Sequence, residues 1–296
     1  MGDTVELGPA RDGRRLGVRW FGRQPGPGVP VVLSCHGGLS CGLDAALGHD
    51  AAEQRGLAIL APDRPGVGAS DPDPERATGD WTHDVAALLD ALGVERTVGV
   101  VGWSLGGQYA LAAARLGARV PAVAIVADGI PLQWPGARRH LHPVDRLLLR
   151  AAHLPEAVAR RTFTVARLRK EPPRDATGRR KVGRVEQRTW GTADAAVLAG
   201  PRGRLVDAAV VAGTASLDGM IDEYRAWARP WGFEPGDVTV PVTVWQGDAD
   251  KWMDPDLSRQ LADALPDGSF RLVRGAGHLL LAGRWGQVLD DLLALD

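Results

Sequence analysis

The stretch VVGWSLGGQYALAAA, residues 100–114, decides the fold. Val100–Gly102 closes an apolar run that reads as a buried strand, and Gln108–Ala114 opens a helix. Ser104 stands at the turn between them, inside Gly-Trp-Ser-Leu-Gly. The pattern G-x-S-x-G turns a strand sharply into a helix, with the serine strained at the apex and small residues on either side letting the backbone pass. The hydroxyl then sits at a helix N-terminus, where free N–H groups and the helix dipole favour negative charge. An ordinary glycine-rich turn is the bland alternative. A phosphate loop would need a lysine after G-x-x-x-x-G, and none follows here.

Working outward, short apolar runs alternate with helical patterns. Val29–Cys35, Gly56–Asp63, Thr97–Trp103, Pro121–Asp128, Pro241–Asp248 and Ser269–Gly275 read as strands buried on both faces. Between them, Asp80 is a candidate cap for a helix whose stripe is Trp81, Val85, Leu88, Leu89 and Leu92, ended by Gly93. Trp285, Val288, Leu289 and Leu292 repeat the stripe near the C-terminus. Such alternation implies a mostly parallel sheet covered on both faces, here preceded by an edge hairpin from TVELG and RRLGVRW.

From Ile130 to Gly236 no buried strand is evident, only amphipathic pieces such as DRLLLRAAHL and EAVARRTFTVARL around a polar segment, RKEPPRDATGRRK. The expected division is therefore a core of residues 1–129 and 237–296, with a helical cap over 130–236, too long and too structured for a loop. Residues 131–236 carry 19 Lys and Arg against 11 Asp and Glu, and the remainder 16 against 25. A solvated helical face above an acidic core explains this; a basic lid that admits an anionic small molecule is the functional alternative.

Overall the 296 residues carry a formal charge of −1, which gives no case for nucleic acid or an anionic membrane surface. The apolar runs are too short to span a bilayer. MGDTVELGPARDGRR lacks a secretory apolar region, and two cysteines, Cys35 and Cys41, make no disulfide framework. A cytoplasmic protein, monomer or homodimer, is expected.

A serine needs a base and the base an orienting acid. With this elbow the chain order is serine, acid, histidine. Of the later histidines, His140, His142 and His153 fall in the insertion, while His278 follows the last strand in GAGH, where Gly275 and Gly277 allow a tight turn. WQGDADKWMDP offers Asp248, Asp250 and Asp254. Asp250 lies far enough past its strand to reach over the sheet edge. Asp248 reads as a turn residue and Asp254 as an N-cap before Pro255. Asp128, closing the fourth strand, is the alternative acid. The Leu105 N–H and, from CHGGLS, the Gly38 N–H (Leu39 next in line) are candidate oxyanion donors, with His36 structural. Trp103, Trp134, Trp190, Trp227 and Trp252 are candidate pocket residues. No metal-ligand set is proposed.

Taken together, HGG, DRPGVGASD, GWSLGG, WQGDAD and GAGH resemble, in order and spacing, the cap-bearing serine hydrolases of the α/β-hydrolase superfamily. Esterases, proline-iminopeptidase-like enzymes and related small-molecule hydrolases belong to this group. Many relatives carry proline after HG-x, where this chain has HGGLS. The resemblance implies an α/β fold with an eight-stranded sheet, a cap after the sixth strand, no cofactor, Asp250 as the acid and an oxyanion hole from Gly38 and Leu105. The expected activity is cleavage of an ester, thioester, lactone or amide of a small, largely apolar molecule through an acyl-enzyme. A cyclase, lyase or acyltransferase using the same triad, and a non-catalytic ligand receptor, are the alternatives, since fold does not fix function.

Overall fold

The apolar runs become the strands of one sheet in the computed structural model, which describes residues 4–128, 131–167 and 180–295. The strands are β1 (Glu6–Pro9), β2 (Arg15–Gly22), β3 (Val31–Cys35), β4 (Ala58–Pro62), β5 (Gly99–Trp103), β6 (Val123–Val126), β7 (Val242–Gly247) and β8 (Gly268–Val273). Their order is β1-β2-β4-β3-β5-β6-β7-β8. β2 runs antiparallel to β1 and β4, as the hairpin reading requires, and β3 to β8 are parallel.

Strands β3, β4, β6 and β7 are buried along their whole length because helices cover both faces. β8 departs from the sequence reading. It pairs only with β7, and its residues are exposed or half-exposed. As an edge strand it has no need of a continuous apolar run, and Ser269 and Arg271 fit that position.

Helices α1 (His49–Gln54), α2 (Trp81–Ala91) and α3 (Gly106–Ala114) follow β3, β4 and β5. In α2, Trp81, Val85, Leu88 and Leu89 are buried at helical spacing, and Gly93 takes a left-handed φ of 66° just beyond its end. Asp80 precedes α2 as expected, yet its carboxylate accepts the N–H of Ala77 behind it, closing a short 3-10 turn instead of capping forward.

Among the described residues six helices lie between β6 and β7. They are α4 (Ala137–His140), α5 (Pro143–Ala151), α6 (Glu156–Arg167), α7 (Arg184–Ala199), α8 (Gly203–Gly213) and α9 (Leu217–Ala228). Helices α5, α6 and α9 share a small core of their own that includes Leu148, Ala152, Phe163 and Tyr224. Most of the polar segment at 169–181 lies outside the described residues. Helices α10 (Pro255–Ala264) and α11 (Leu281–Leu295) complete the chain. Asp254 caps α10 through the Asp256 N–H with Pro255 in the first turn, and Trp285, Val288, Leu289 and Leu292 are buried along α11. Among the described residues no helix is long and apolar enough to cross a membrane. Cys35 and Cys41 are buried free thiols, both pushed up to about 12 by burial.

Candidate active site

The turn after β5 is built by its glycines. A Cβ on Gly102 would lie 2.6 Å from the Gly106 carbonyl oxygen, and one on Gly106 would lie 2.1 Å from that of Cys35. Both positions therefore exclude any larger residue, which is the physical content of the G-x-S-x-G spacing. Ser104 itself takes φ = 51°, a left-handed conformation that a non-glycine residue adopts at a cost of about 1–3 kcal/mol. Its N–H donates to the Val126 carbonyl of β6 at 2.8 Å, fixing the apex over the parallel strands.

Ser104, His278 and Asp250 come from three separate strand ends and meet in one chain of hydrogen bonds. The Ser104 Oγ is 2.9 Å from His278 Nε2, and His278 Nδ1 is 3.0 Å from Asp250 Oδ2. Asp250 Oδ2 also accepts from Gln246 Nε2 at 2.9 Å, while Oδ1 accepts the N–H groups of Trp252 and Met253 at 2.7 and 3.0 Å. Four donors thus converge on this one carboxylate. Burial alone would raise its pKa, but His278 and these hydrogen bonds outweigh that and hold it below the ordinary value. The reverse applies to His278. Burial would lower its pKa, and Asp250, with Asp194 and Asp145 behind it, raises it above the ordinary 6.5. With Nδ1–H directed to an ionised Asp250, Nε2 is left as the acceptor facing the serine hydroxyl.

Peptide planarity fixes the direction of two N–H groups near Ser104 relative to their carbonyls. The Gly37 carbonyl accepts from Arg64 Nη2 and from His36 Nδ1, both at 2.9 Å. Across a trans peptide the next N–H, that of Gly38, points the opposite way. Likewise the Ser104 carbonyl accepts the Gly107 N–H at 2.8 Å, so the Leu105 N–H is directed out of the start of α3. Gly38 and Leu105 both line the cavity beside Ser104 and His278. Leu39 does not line it. Leu39 has φ = 53°, and its side chain packs into the core of the inserted helices.

His36 holds this loop as its sequence position suggests. It accepts the Arg64 N–H at Nε2, 3.1 Å, and lies near the Gly37 carbonyl through Nδ1. Burial, then the Arg64 charge, pushes its pKa well below the ordinary value, so the ring is neutral. Arg64 is fully buried, donates to the carbonyls of His36 and Gly37, and pairs with Glu223 of α9 at 2.7 Å. Nothing in the sequence joined residues 159 apart. Breaking a buried pair leaves an uncompensated charge, at about 3–5 kcal/mol. Glu223→Ala is accordingly expected to lose about that much stability in a denaturant titration, while breaking an exposed pair such as Arg160–Asp218 loses under about 1 kcal/mol on the same test.

The cavity of about 70 Å³ above Ser104 is lined by Gly38, Ser104, Leu105, Asp128, Leu141, Asp145, Tyr224, Trp227, Trp252, Met253 and His278. Of the five tryptophans proposed from sequence, only Trp227 and Trp252 reach it. Trp103 lies outside, with its indole N–H donating to the His278 carbonyl at 3.0 Å. Trp134 packs against the main core, and Trp190 packs against Trp252 with ring centroids 4.8 Å apart. Asp128 does line the cavity, but both ring nitrogens of His278 are already engaged by Asp250 and Ser104. Asp128 instead sits against Gly107, where a Cβ would come within 2.1 Å of its carboxylate. Asp248 accepts a backbone N–H as a turn residue should, although from distant Gly275 at 2.6 Å. Arg138, Arg146 and Arg150 line a different groove, of about 570 Å³, that shares only Leu141 with the cavity.

Besides Glu223, two acidic residues of the insertion escaped sequence reasoning. Asp194 on α7 accepts the N–H groups of His278 and Leu279, both at 2.8 Å. A Cβ on Gly277 would strike this carboxylate at 2.3 Å, so the glycine before the histidine serves this contact as well as the turn. Asp145 on α5 accepts the Tyr224 hydroxyl at 2.7 Å. No group of three or more His, Cys, Asp or Glu able to hold a metal occurs among the described residues.

Comparison with known proteins agrees with this architecture. The family profile described as alpha/beta hydrolase fold matches residues 30–283. No curated protein matches the sequence. Among solved structures, an esterase from Rhodococcus sp. ECU1013 is similar at 18% identity and TM-score 0.70, with 99% of each chain covered. An enol-lactonase from Burkholderia xenovorans LB400 is similar at 20% and 0.71, covering 98% of this chain and 100% of that one. A bromoperoxidase from Bacillus anthracis is similar at 20% and 0.66, with the same coverage. With the family profile spanning most of its length and its eight-stranded sheet ordered as described, the chain belongs to the α/β-hydrolase family.

Proposed function

We propose that this protein is a serine hydrolase that cleaves an ester, or a related thioester, lactone or amide, of a small and largely apolar molecule. The observation that carries the reading is the unbroken chain Ser104–His278–Asp250 in a cavity that Gly38 and Leu105 also line. His278 takes the hydroxyl proton as Ser104 attacks the carbonyl carbon. The Gly38 and Leu105 N–H groups hold the oxyanion. The imidazolium then returns its proton to the leaving group, and water repeats the cycle on the acyl-enzyme. The helices α4–α9 act as a cap, supplying Leu141, Asp145, Tyr224 and Trp227 to the cavity wall. Its volume lies well below the ~300–1,000 Å³ of sites for drug-sized ligands, which favours a short acyl group. The reducing cytoplasm suits its buried free thiols.

A pH profile on a short-chain ester such as phenyl acetate tests the reading. The base must be neutral to accept the serine proton, so kcat/KM rises with pH as His278 deprotonates. Because the His278 pKa is raised, the half-maximum falls above pH 6.5, the ordinary histidine value. Activity that is flat or falling across that range contradicts the assignment of His278 as base.

A further inference from the structure

Two carboxyl groups line the cavity, Asp128, which sits against Gly107, and Asp145. Asp145 is the one supplied by the inserted helices. It sits in the first turn of α5 and is half-buried, lining the same small space as Ser104 and His278. Its Oδ1 accepts the hydroxyl of Tyr224, a residue 3% exposed in the inserted-helix core, so the carboxyl group is fixed in place. Among the described residues no hydrogen bond or ion pair engages Oδ2. Burial pushes this carboxyl up to about 6, against the Tyr224 hydrogen bond and the nearby imidazole, which lower it. A half-buried carboxyl group with an open acceptor in so small a cavity favours a ligand that donates to it. Tyr224, the donor already present, is used at Oδ1. No Lys or Arg lines the cavity among the described residues, so His278, engaged by Asp250 and Ser104, is the lining group there able to carry a positive charge.

We infer that Asp145, held by Tyr224, is a specificity residue that accepts a hydrogen bond from the substrate, which therefore carries a hydroxyl or protonated amine close to its scissile carbonyl. The inference rests on the hydrolase reading of Ser104 for the word scissile, and on the geometry of Asp145 alone for the donor. One cavity of about 70 Å³ is lined by both Asp145 and Ser104, so the donor and the reacting carbonyl belong to one small molecule. A site built to hydrogen-bond a group rejects the analogue that lacks it far more strongly than an apolar pocket rejects a missing methylene.

Matched substrates test this. Methyl 3-hydroxybutyrate and methyl 3-aminobutyrate are compared with methyl butyrate for a donor on the acyl side. Ethylene glycol monobutyrate is compared with propyl butyrate for a donor on the leaving group. At least one donor-bearing ester is expected to exceed its partner in kcat/KM by about 10–100-fold, and Asp145→Leu to reduce that ratio to near one. The hydroxy and amino esters separate the two donor types. Tyr224→Phe, which frees the carboxyl group but retains it, is expected to reduce the ratio partially and serves if Asp145→Leu does not fold. A purely electrostatic or structural role for Asp145 would lower all rates together and leave the ratio intact. Equal rates within every pair, or a ratio that survives Asp145→Leu, overturn the inference. Binding of 3-hydroxybutyramide, 3-aminobutyramide, butyramide, 1,2-ethanediol and 1-propanol to the wild-type protein, read by fluorescence of the cavity tryptophans, separates the two claims. If no ester is cleaved, the hydrolase reading fails, while tighter binding of a donor-bearing compound than its partner still supports the role of Asp145 and equal binding refutes it.

Discussion

Ser104→Ala is expected to lower kcat on a short-chain ester by about 10⁴- to 10⁶-fold, with the thermal midpoint little changed. The alanine keeps the Cβ and the strained backbone at φ = 51°, so the elbow stays as costly as before. Only the hydroxyl is lost, and with it the hydrogen bond to His278 at 2.9 Å. The Gly38 and Leu105 N–H groups remain and account for the residual rate. Steady-state kinetics with a circular-dichroism melt separates this from unfolding. A variant that retains a tenth of the wild-type kcat would remove Ser104 from the chemistry.

Asp250→Asn is expected to cost about 10⁴-fold in kcat, and the reason is the inventory of donors around it. Asp250 accepts four hydrogen bonds, two at each oxygen. An asparagine has one oxygen. If that oxygen serves the Trp252 and Met253 N–H groups, the amide NH₂ faces Gln246 Nε2, itself a donor, and His278 Nδ1. The imidazole must then accept at Nδ1 and carry its proton on Nε2, where it can no longer take one from Ser104. The largest influence raising the His278 pKa, the Asp250 charge, is also gone, so that pKa falls from its wild-type position. The acid limb of the residual activity therefore moves to lower pH than in the wild type. A loss under tenfold, with an unmoved acid limb, would transfer the acid's role elsewhere.

The elbow, the histidine and the acid were legible in the sequence because each is a local pattern with a local backbone demand. The glycines at 102 and 106 are imposed by close approaches within the turn, and Gly277 marks the histidine loop. Strand–helix alternation fixed their order, and the sheet then brought three strand ends together. What was not legible depends on contacts from α4–α9, which pack by amphipathic faces with no motif to index them. Asp194, Glu223 and Asp145 read as solvated charges on helices, and each is buried or enclosed against the site by a partner 79 to 159 residues away. Among the candidate tryptophans, Trp227 and Trp252 line the cavity and the others do not. Size and apolarity suit a core position as well as a pocket wall, and Trp134 and Trp190 went to packing. Among the described residues the basic side chains of the insertion likewise do not line the cavity, and Arg138, Arg146 and Arg150 line a neighbouring groove.

Whether Ser104 is a nucleophile activated by His278 is read by incubating the wild-type protein with a fluorophosphonate, followed by intact-mass and peptide mass analysis. One covalent adduct per chain is expected, located on Ser104, formed faster as pH rises through the His278 titration and absent from Ser104→Ala. An unmodified Ser104 after prolonged exposure, in protein shown to be folded, would contradict it.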